Sequence, residues 1–376
     1  MAYVFLALAL AALAYQLLAL TCLIRFFHLP LPPGAASGPG VTVFKPLKGL
    51  DPFSRECLAS FLNQDYHPYQ VIFGVSDPRD PVLPLLYELK SAFPAVEVDI
   101  LICPEALGLN PKISVLRQME PRARYDLLVI ADGDVKVGPD FLSRVVAALQ
   151  DPAVGLVTCP YRSGRAATLG ARLEALTIAL DFMPAVATAF YVEGISFALG
   201  ATMGLSRQTL SRIGGLAPLA DFLADDYQLG WRVSQAGLKV KLLPYVVETL
   251  SPDMALFEYL SHQLRWARTY RVCRPRGYLA YGITHALIYC AAFLLAFGPA
   301  PLALALLAAA LAVRLALAWT SARFFLRAEI SPWSFLLLPL KDALSFALWL
   351  LSFLGNRVTW GDSTFRITPD GKLARD

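Results

Sequence analysis

Two aspartates separated by one glycine, Asp132 and Asp134, follow the apolar run that opens "LLVIADGDVKVGPDFL" (127–142). Carboxylates one residue apart repel each other and call for a counter-ion. Mg²⁺ and Mn²⁺ take carboxylate and phosphate oxygens, commonly joining one or two acids to a diphosphate. Gly133 would let the backbone turn tightly toward such a ligand. A solvated loop with aspartate as a local cap is the alternative.

A second acidic pair, Asp225 and Asp226, opens "DDYQLGWRVSQAG" (225–237). Acids at a helix start are favoured by capping and by the macrodipole, and on this segment alone capping is the preferred reading. A carboxylate there could also act as a general base if it faces a cavity. "EYLSHQLRWARTYR" (258–271) supplies Arg265, Arg268 and Arg271 at a spacing of three, with Trp266 between. These cations could pair with a diphosphate, and the indole could stack on a base or sugar. A basic amphipathic helix lying on a lipid surface fits the same pattern.

The elements that must carry these residues alternate. "VTVFK" (41–45), "YQVIFGVS" (69–76), "VEVDILIC" (96–103), "YDLLVIA" (125–131) and "AVGLVTC" (153–159) read as strands. Stretches 51–64, 80–93 and 138–150 read as helices between them. Such alternation predicts an α/β fold with a mostly parallel sheet covered on both faces. Ligands then collect beyond the carboxyl ends of the strands. Lys45 and Pro46 end the first strand, Asp77 the second and the Asp132–Asp134 pair the fourth. Asp77 also suits an ordinary turn in "SDPRDP".

Of the 376 residues, 56% are hydrophobic and only 16% charged, against roughly 25% charged in soluble domains. The apolar residues cluster at the ends. Residues 2–24 are long enough to span a bilayer, and no basic residue precedes them, which favours an uncleaved anchor over a signal peptide. Arg25 follows, so the positive-inside rule puts the downstream side in the cytoplasm. Residues 278–297 and 301–319 read as a membrane hairpin, with Arg323 and Arg327 after it. The run 333–354 is interrupted by Lys341 and Asp342, which at membrane depth should face protein or water. It either spans or dips in. The stretch 183–205 could line a lipid access route or form core plus one strand.

Six scattered cysteines without a C-x-x-C pair suit a reducing compartment. Four dispersed histidines offer no zinc-ligand pattern. The net charge of +4, without a dense basic tract, favours anionic lipid over nucleic acid as a partner.

Taken in order, these motifs resemble the ceramide glucosyltransferase family, inverting nucleotide-sugar-dependent transferases with a GT-A fold and the pattern D…DxD…(E/D)D…(Q/R)xxRW. Asp77, Asp132–Gly133–Asp134, Asp225–Asp226 and "HQLRW" match its four elements. "VFKPLKGLDP" and "NPKIS" (110–114) are also similar to that family, and the latter adds Lys112 to the donor-binding residues. The resemblance implies a UDP-sugar donor, a divalent metal (Mn²⁺ or Mg²⁺) on Asp134 and Asp132, and Asp226 as base beside Asp225. It implies Arg265 and Arg268 at the diphosphate, Trp266 closing a pocket, and Lys45, Pro46 and Asp77 on the uridine side. His262 stands where the family usually has Gln or Arg, which resembles the bacterial branch that includes transferases glycosylating hopanoids with N-acetylglucosamine.

The expected organisation is an N-terminal transmembrane anchor (1–28), a linker (29–40), a cytoplasmic GT-A domain (41–272), a C-terminal membrane helix hairpin or bundle (273–355) and a tail (356–376). The expected activity is sugar transfer, glucose first, to a membrane-lipid hydroxyl such as that of ceramide, at a bacterial inner membrane. A hopanoid acceptor is the alternative. A processive polysaccharide synthase would need more membrane helices. A non-catalytic scaffold would gain nothing from unpaired acids in a cleft.

Overall fold

The computed structural model describes residues 2–361 and 363–375. Helix α1 (Ala2–Phe27) leads into strand β1 (Ser37–Leu47), α2 (Ser54–Leu62), β2 (His67–Val75), α3 (Leu83–Ala92) and β3 (Glu97–Ile102). Then come α4 (Pro111–Met119), β4 (Leu127–Ala131), β5 (Val135–Lys136), α5 (Phe141–Leu149), β6 (Val154–Thr158) and β7 (Tyr161–Ser163). Helices α6 (Leu169–Thr177) and α7 (Met183–Val192) are joined by a π-helical turn, Ile178–Phe182. Strand β8 (Thr202–Ser206), α8 (Arg207–Arg212), α9 (Asp225–Gln235), β9 (Lys239–Leu242) and β10 (Val247–Thr249) follow.

The main sheet has seven strands in the order β3-β2-β1-β4-β8-β6-β9. All its pairs are parallel except those of β8, which runs antiparallel to β4 and β6. Successive side chains of a strand point to opposite faces. Thus Val41 and Val43 enter one core with Val71, Phe73 and Val129, while Phe44, Ile72 and Leu128 enter the other. Burial on both faces explains why these strands read as continuous apolar runs. The five strands expected from sequence are β1, β2, β3, β4 and β6, and β8 and β9 complete the sheet. The stretch 183–205 holds both α7 and most of β8.

The C-terminal half continues with α10 (Leu256–Cys273), α11 (Pro275–Tyr281), α12 (Ala286–Phe297), α13 (Pro301–Trp319) and α14 (Leu338–Ser352). Among the described residues, four helical stretches are long and apolar enough to cross a membrane: 2–27, 169–192, 301–325 and 332–352. The run 278–297 departs from the expected straight span. It is two helical pieces, 275–284 and 286–297, bent by 54°. The stretch 169–192 was not expected as a membrane-length helix, because three charges, Arg172, Glu174 and Asp181, divide it.

Glu174 and Asp181 have partners, whereas Arg172 is exposed. Asp181 forms ion pairs with both Arg314 and Lys341. Arg314 also reaches Asp342 through Nε (3.0 Å) and Nη2 (2.7 Å), and Lys341 lies 2.9 Å from Asp342. Two acids and two bases thus cancel among three helices, the condition under which buried charge is tolerated. Lys341 and Asp342 face protein, and α14 continues unbroken past them. The six cysteines are free.

The tail expected after residue 355 is folded. Strands β11 (Arg357–Trp360), β12 (Ser363–Ile367) and β13 (Leu373–Arg375) form an antiparallel sheet with a small core of Val358, Phe365, Ile367 and Leu373 against Leu223.

Candidate active site

Beyond the carboxyl ends of β1 and β4 lies a cavity of about 1190 Å³. Asp132, Asp134, Lys112, Asp225, Asp226 and Arg265 all line it. Strand β4 stops at Ala131, and the Asp132 carbonyl accepts from Val135 N (3.2 Å), closing a tight turn. Gly133 is not in the left-handed region. Its small size matters instead, since a Cβ there would come 3.1 Å from Leu47 Cδ2.

Lys45 supports this turn from beneath. It is fully buried, donates to the Asp132 and Val135 carbonyls, and lies 4.2 Å from the Phe61 ring centroid. Burial lowers its pKa to about 8. Pro46, the next residue, does line the cavity. Asp134 accepts from Ser251 Oγ (3.3 Å), and burial with the Asp132 charge raises its pKa.

Helix α4 delivers Lys112. Asn110 caps that helix by accepting from Ile113 N, and Pro111 supplies the preset first turn. Asn110 Nδ2 also donates to the Phe222 carbonyl (2.8 Å), tying α4 to the loop before α9. Lys112 Nζ then sits 2.6 Å from Asp132 Oδ1 and 3.3 Å from Asp225 Oδ2. Burial acts to lower the pKa of this lysine, but Asp132 and Asp225 outweigh it and hold it above the usual range. One ammonium therefore joins the two acidic motifs.

Asp225 and Asp226 occupy the first turn of α9, yet neither is its N-cap, which is Ala224 without a side-chain bond. The macrodipole still favours both charges. Asp226 accepts from Tyr227 N (2.7 Å) through Oδ1. Its Oδ2 lies against Gly200, where a Cβ would approach to 2.9 Å. Burial, and then the Asp225 charge, raise the Asp226 pKa to about 7, against the lowering effect of Lys112.

Helix α10 contributes His262, Arg265 and Trp266 to the cavity. Trp266 is flanked by His262 and Phe182, with ring centroids 4.8 and 5.9 Å away. His262 Nδ1 is 3.1 Å from Glu174 Oε1, and Gln263 Nε2 donates to Glu174 Oε2 (2.6 Å). Burial lowers the Arg265 pKa, against the raising effect of Glu174 and Asp226.

Arg268 and Asp77 lie outside the cavity lining. Arg268 donates to the Arg357 carbonyl. Asp77 is half-buried and accepts from Arg79 N (2.8 Å) and Nε (3.3 Å), and its neighbour Ser76 lines the cavity instead. Glu174 was not singled out from sequence. An acid within an apolar helical stretch was the available signal.

No cluster of three or more His, Cys, Asp or Glu side chains among the described residues could enclose a metal by itself. The donor set nevertheless fits Mg²⁺ or Mn²⁺ shared with a diphosphate. Asp134 offers a hard oxygen ligand whose ionisation is opposed by its surroundings, and a cation would relieve that opposition. Asp132 is partly committed to Lys112.

A model of glycosyl transferase family 21 matches residues 4–373. Ceramide glucosyltransferase 1 of Caenorhabditis elegans is 24% identical over 232 residues, 61% of this chain and 49% of that protein. Ceramide glucosyltransferase of Komagataella phaffii is 36% identical over 125 residues, 32% of this chain and 24% of that one. The chain thus spans about half the length of the first of these relatives. Among solved structures, a mannosyltransferase from Pyrobaculum calidifontis in complex with GDP-Man and Mn²⁺ matches with a TM-score of 0.57 at 20% identity, covering 94% of this chain and 97% of that one. That likeness carries the GT-A fold.

Proposed function

We propose, from the premise that this chain belongs to glycosyl transferase family 21, that it is a membrane-bound transferase. It moves a sugar, glucose first, from a UDP-sugar to the hydroxyl of a membrane lipid such as ceramide, with inversion. The observation that carries this reading is the Lys112 bridge, which brings both acidic pairs into one cavity. Ile178, Phe182 and Phe197 give that cavity an apolar wall on the side of the membrane-length helix 169–192. A lipid acceptor is thereby reached without full extraction, since each exposed CH₂ costs roughly 0.8 kcal/mol.

Asp226 accepts the proton of the acceptor hydroxyl as that oxygen attacks the anomeric carbon from the face opposite the diphosphate. A carbon–oxygen bond forms there, and the bond to the diphosphate oxygen breaks with its electron pair leaving on UDP. One displacement inverts the centre, and no enzyme nucleophile takes part. A base with a pKa of about 7 is well matched to this task near neutrality. Arg265 supplies positive charge where the leaving group develops its own. Trp266 walls the sugar subsite. Asp134, with Asp132 beside it, would hold Mn²⁺ or Mg²⁺, which when bound neutralises diphosphate charge.

His262 in place of Gln or Arg favours a second reading, N-acetylglucosamine transfer to a hopanoid. Purified full-length protein, incubated with a panel of UDP-sugars and with ceramide or hopanoid in nanodiscs, tests both by mass spectrometry of the lipids. A glycosylated lipid identifies the pair. No product with any combination would overturn the transferase reading.

A further inference from the structure

Residues 356–376 read as a tail, yet Trp360, Ser363, Thr364 and Phe365 line the cavity. The sheet they belong to is anchored on three sides. Arg268 donates to the Arg357 carbonyl, and Arg271 donates to the carbonyls of Ser352 and Gly355 (2.9 Å for the latter). Leu373 N donates to the Asp221 carbonyl (2.7 Å), and Phe222 pairs with Lys372. Val358 and Phe365 pack with Leu223, and Leu109 and Trp360 pack against the same cluster. The loops being gripped are those that lead into Lys112 and into Asp225–Asp226.

Gly361, directly after β11, indicates what the sheet faces. A Cβ there would lie 3.6 Å from Lys48 Nζ, and Pro46, Leu47 and Lys48, at the end of β1, line the same cavity. In an α/β sheet of this kind a nucleotide sits beyond such strand ends. Trp360 shares the inward face of β11 with Val358, two residues before it. It is half-buried, so part of the indole remains available to the cavity. A tryptophan on a clamped strand is a flat apolar surface that loses little freedom on binding a planar base.

Building on the proposed UDP-sugar chemistry, we propose that the C-terminal sheet is a wall of the donor pocket, with Trp360 the surface against which the nucleoside lies. Arg268 and Arg271 act as positioning residues that deliver this wall, while Arg265 faces the cavity. The sugar and the acceptor lie deeper, toward Trp266, and do not touch Trp360.

The test uses full-length protein in nanodiscs and UDP with Mn²⁺ as the probe. Stacking on an aromatic is worth about 1–3 kcal/mol, so Trp360→Ala should weaken UDP binding roughly tenfold or more while the acceptor KM stays put. Trp360→Phe should restore most of the affinity. Equal UDP affinity in the parent and Trp360→Ala, or a change confined to acceptor KM, overturns the inference and leaves the transferase reading standing. A parent that binds no UDP overturns both. Should Trp360→Ala fail to fold, hydrogen exchange of the parent decides. Amides in 357–367 slowed by UDP support the wall, and unchanged exchange there overturns it.

Discussion

Lys112 places its ammonium 2.6 Å from Asp132 Oδ1, so the acid of one motif is already neutralised by a lysine from another. Lys112→Met would leave the cavity with unbalanced carboxylates. Asp225 is buried and Asp132 only partly so, and both would lose their ammonium, so the melting temperature should fall, by less than for a fully buried pair. Lys112 also lowers the Asp226 pKa, so its loss should move the inflection of kcat/KM to higher pH, with partial recovery in alkaline buffer. An inflection left where the parent has it would mean that Lys112 does not act on the base.

Asp226 carries the proposed base, and its sign of titration is fixed. Below a pKa of about 7 the carboxyl is protonated and cannot accept, so kcat/KM should rise with pH through that value and level off above it. Asp226→Asn should keep UDP binding and lose about 10²–10⁴-fold in turnover. Asp225→Asn is the comparison, because Asp225 already receives Lys112 and the Asn110 amide (3.4 Å). Steady-state rates across a pH series check this. Near-parent kcat in the Asp226→Asn variant would remove Asp226 as the base.

Much of this arrangement was legible in the sequence because it rests on short-range pattern. Strands buried on both faces announce themselves as apolar runs, and the Asp132–Asp134 turn follows from where β4 ends. The bond from Asn110 to Asp225 was not legible, since its residues are 115 positions apart. Lys112 was reached through resemblance alone. Helix 169–192 was hidden by its own charges, and the partners of Asp181 and Glu174, namely Arg314, Lys341 and His262, come from remote segments. The C-terminal sheet had a local signal, alternating residues on both sides of Gly361 in "RVTWGDSTFRI".

Gly200 gives the Asp226 carboxylate its room. A Cβ there would come 2.9 Å from Oδ2 and 3.4 Å from Cγ. Gly200→Ala should therefore turn the carboxylate aside while leaving the helix in place. A displacement of about 1 Å at a reacting group can cost on the order of 10²-fold, so kcat should fall by that order with UDP affinity retained. Parent-like turnover in a folded variant would show that this carboxylate position is not required.

The four-charge node should respond asymmetrically to mutation. Lys341→Met leaves Asp181 and Asp342 facing Arg314 alone, a net buried negative charge. The expected loss is about 3–5 kcal/mol, read as a lower unfolding temperature in detergent. The double variant Lys341→Met with Asp181→Asn restores charge balance and should recover part of the loss. Equal melting in parent and single variant would contradict the pairing.

Asp134 separates metal binding from folding. Its pKa is raised by burial and by Asp132, so its contribution to stability is present at low pH and lost as pH rises through the folded value. At neutral or alkaline pH without metal, Asp134→Ala removes an opposed ionisation and should melt at or above the parent. Addition of Mn²⁺ with UDP should then raise the parent's melting temperature but not the variant's. A ligand at 100 times its Kd adds roughly 2.7 kcal/mol, a shift well within thermal-melt resolution. The same Mn²⁺-dependent rise in both proteins would remove Asp134 as a metal ligand, and a variant that melts far below the parent without metal would show that the aspartate serves the fold instead.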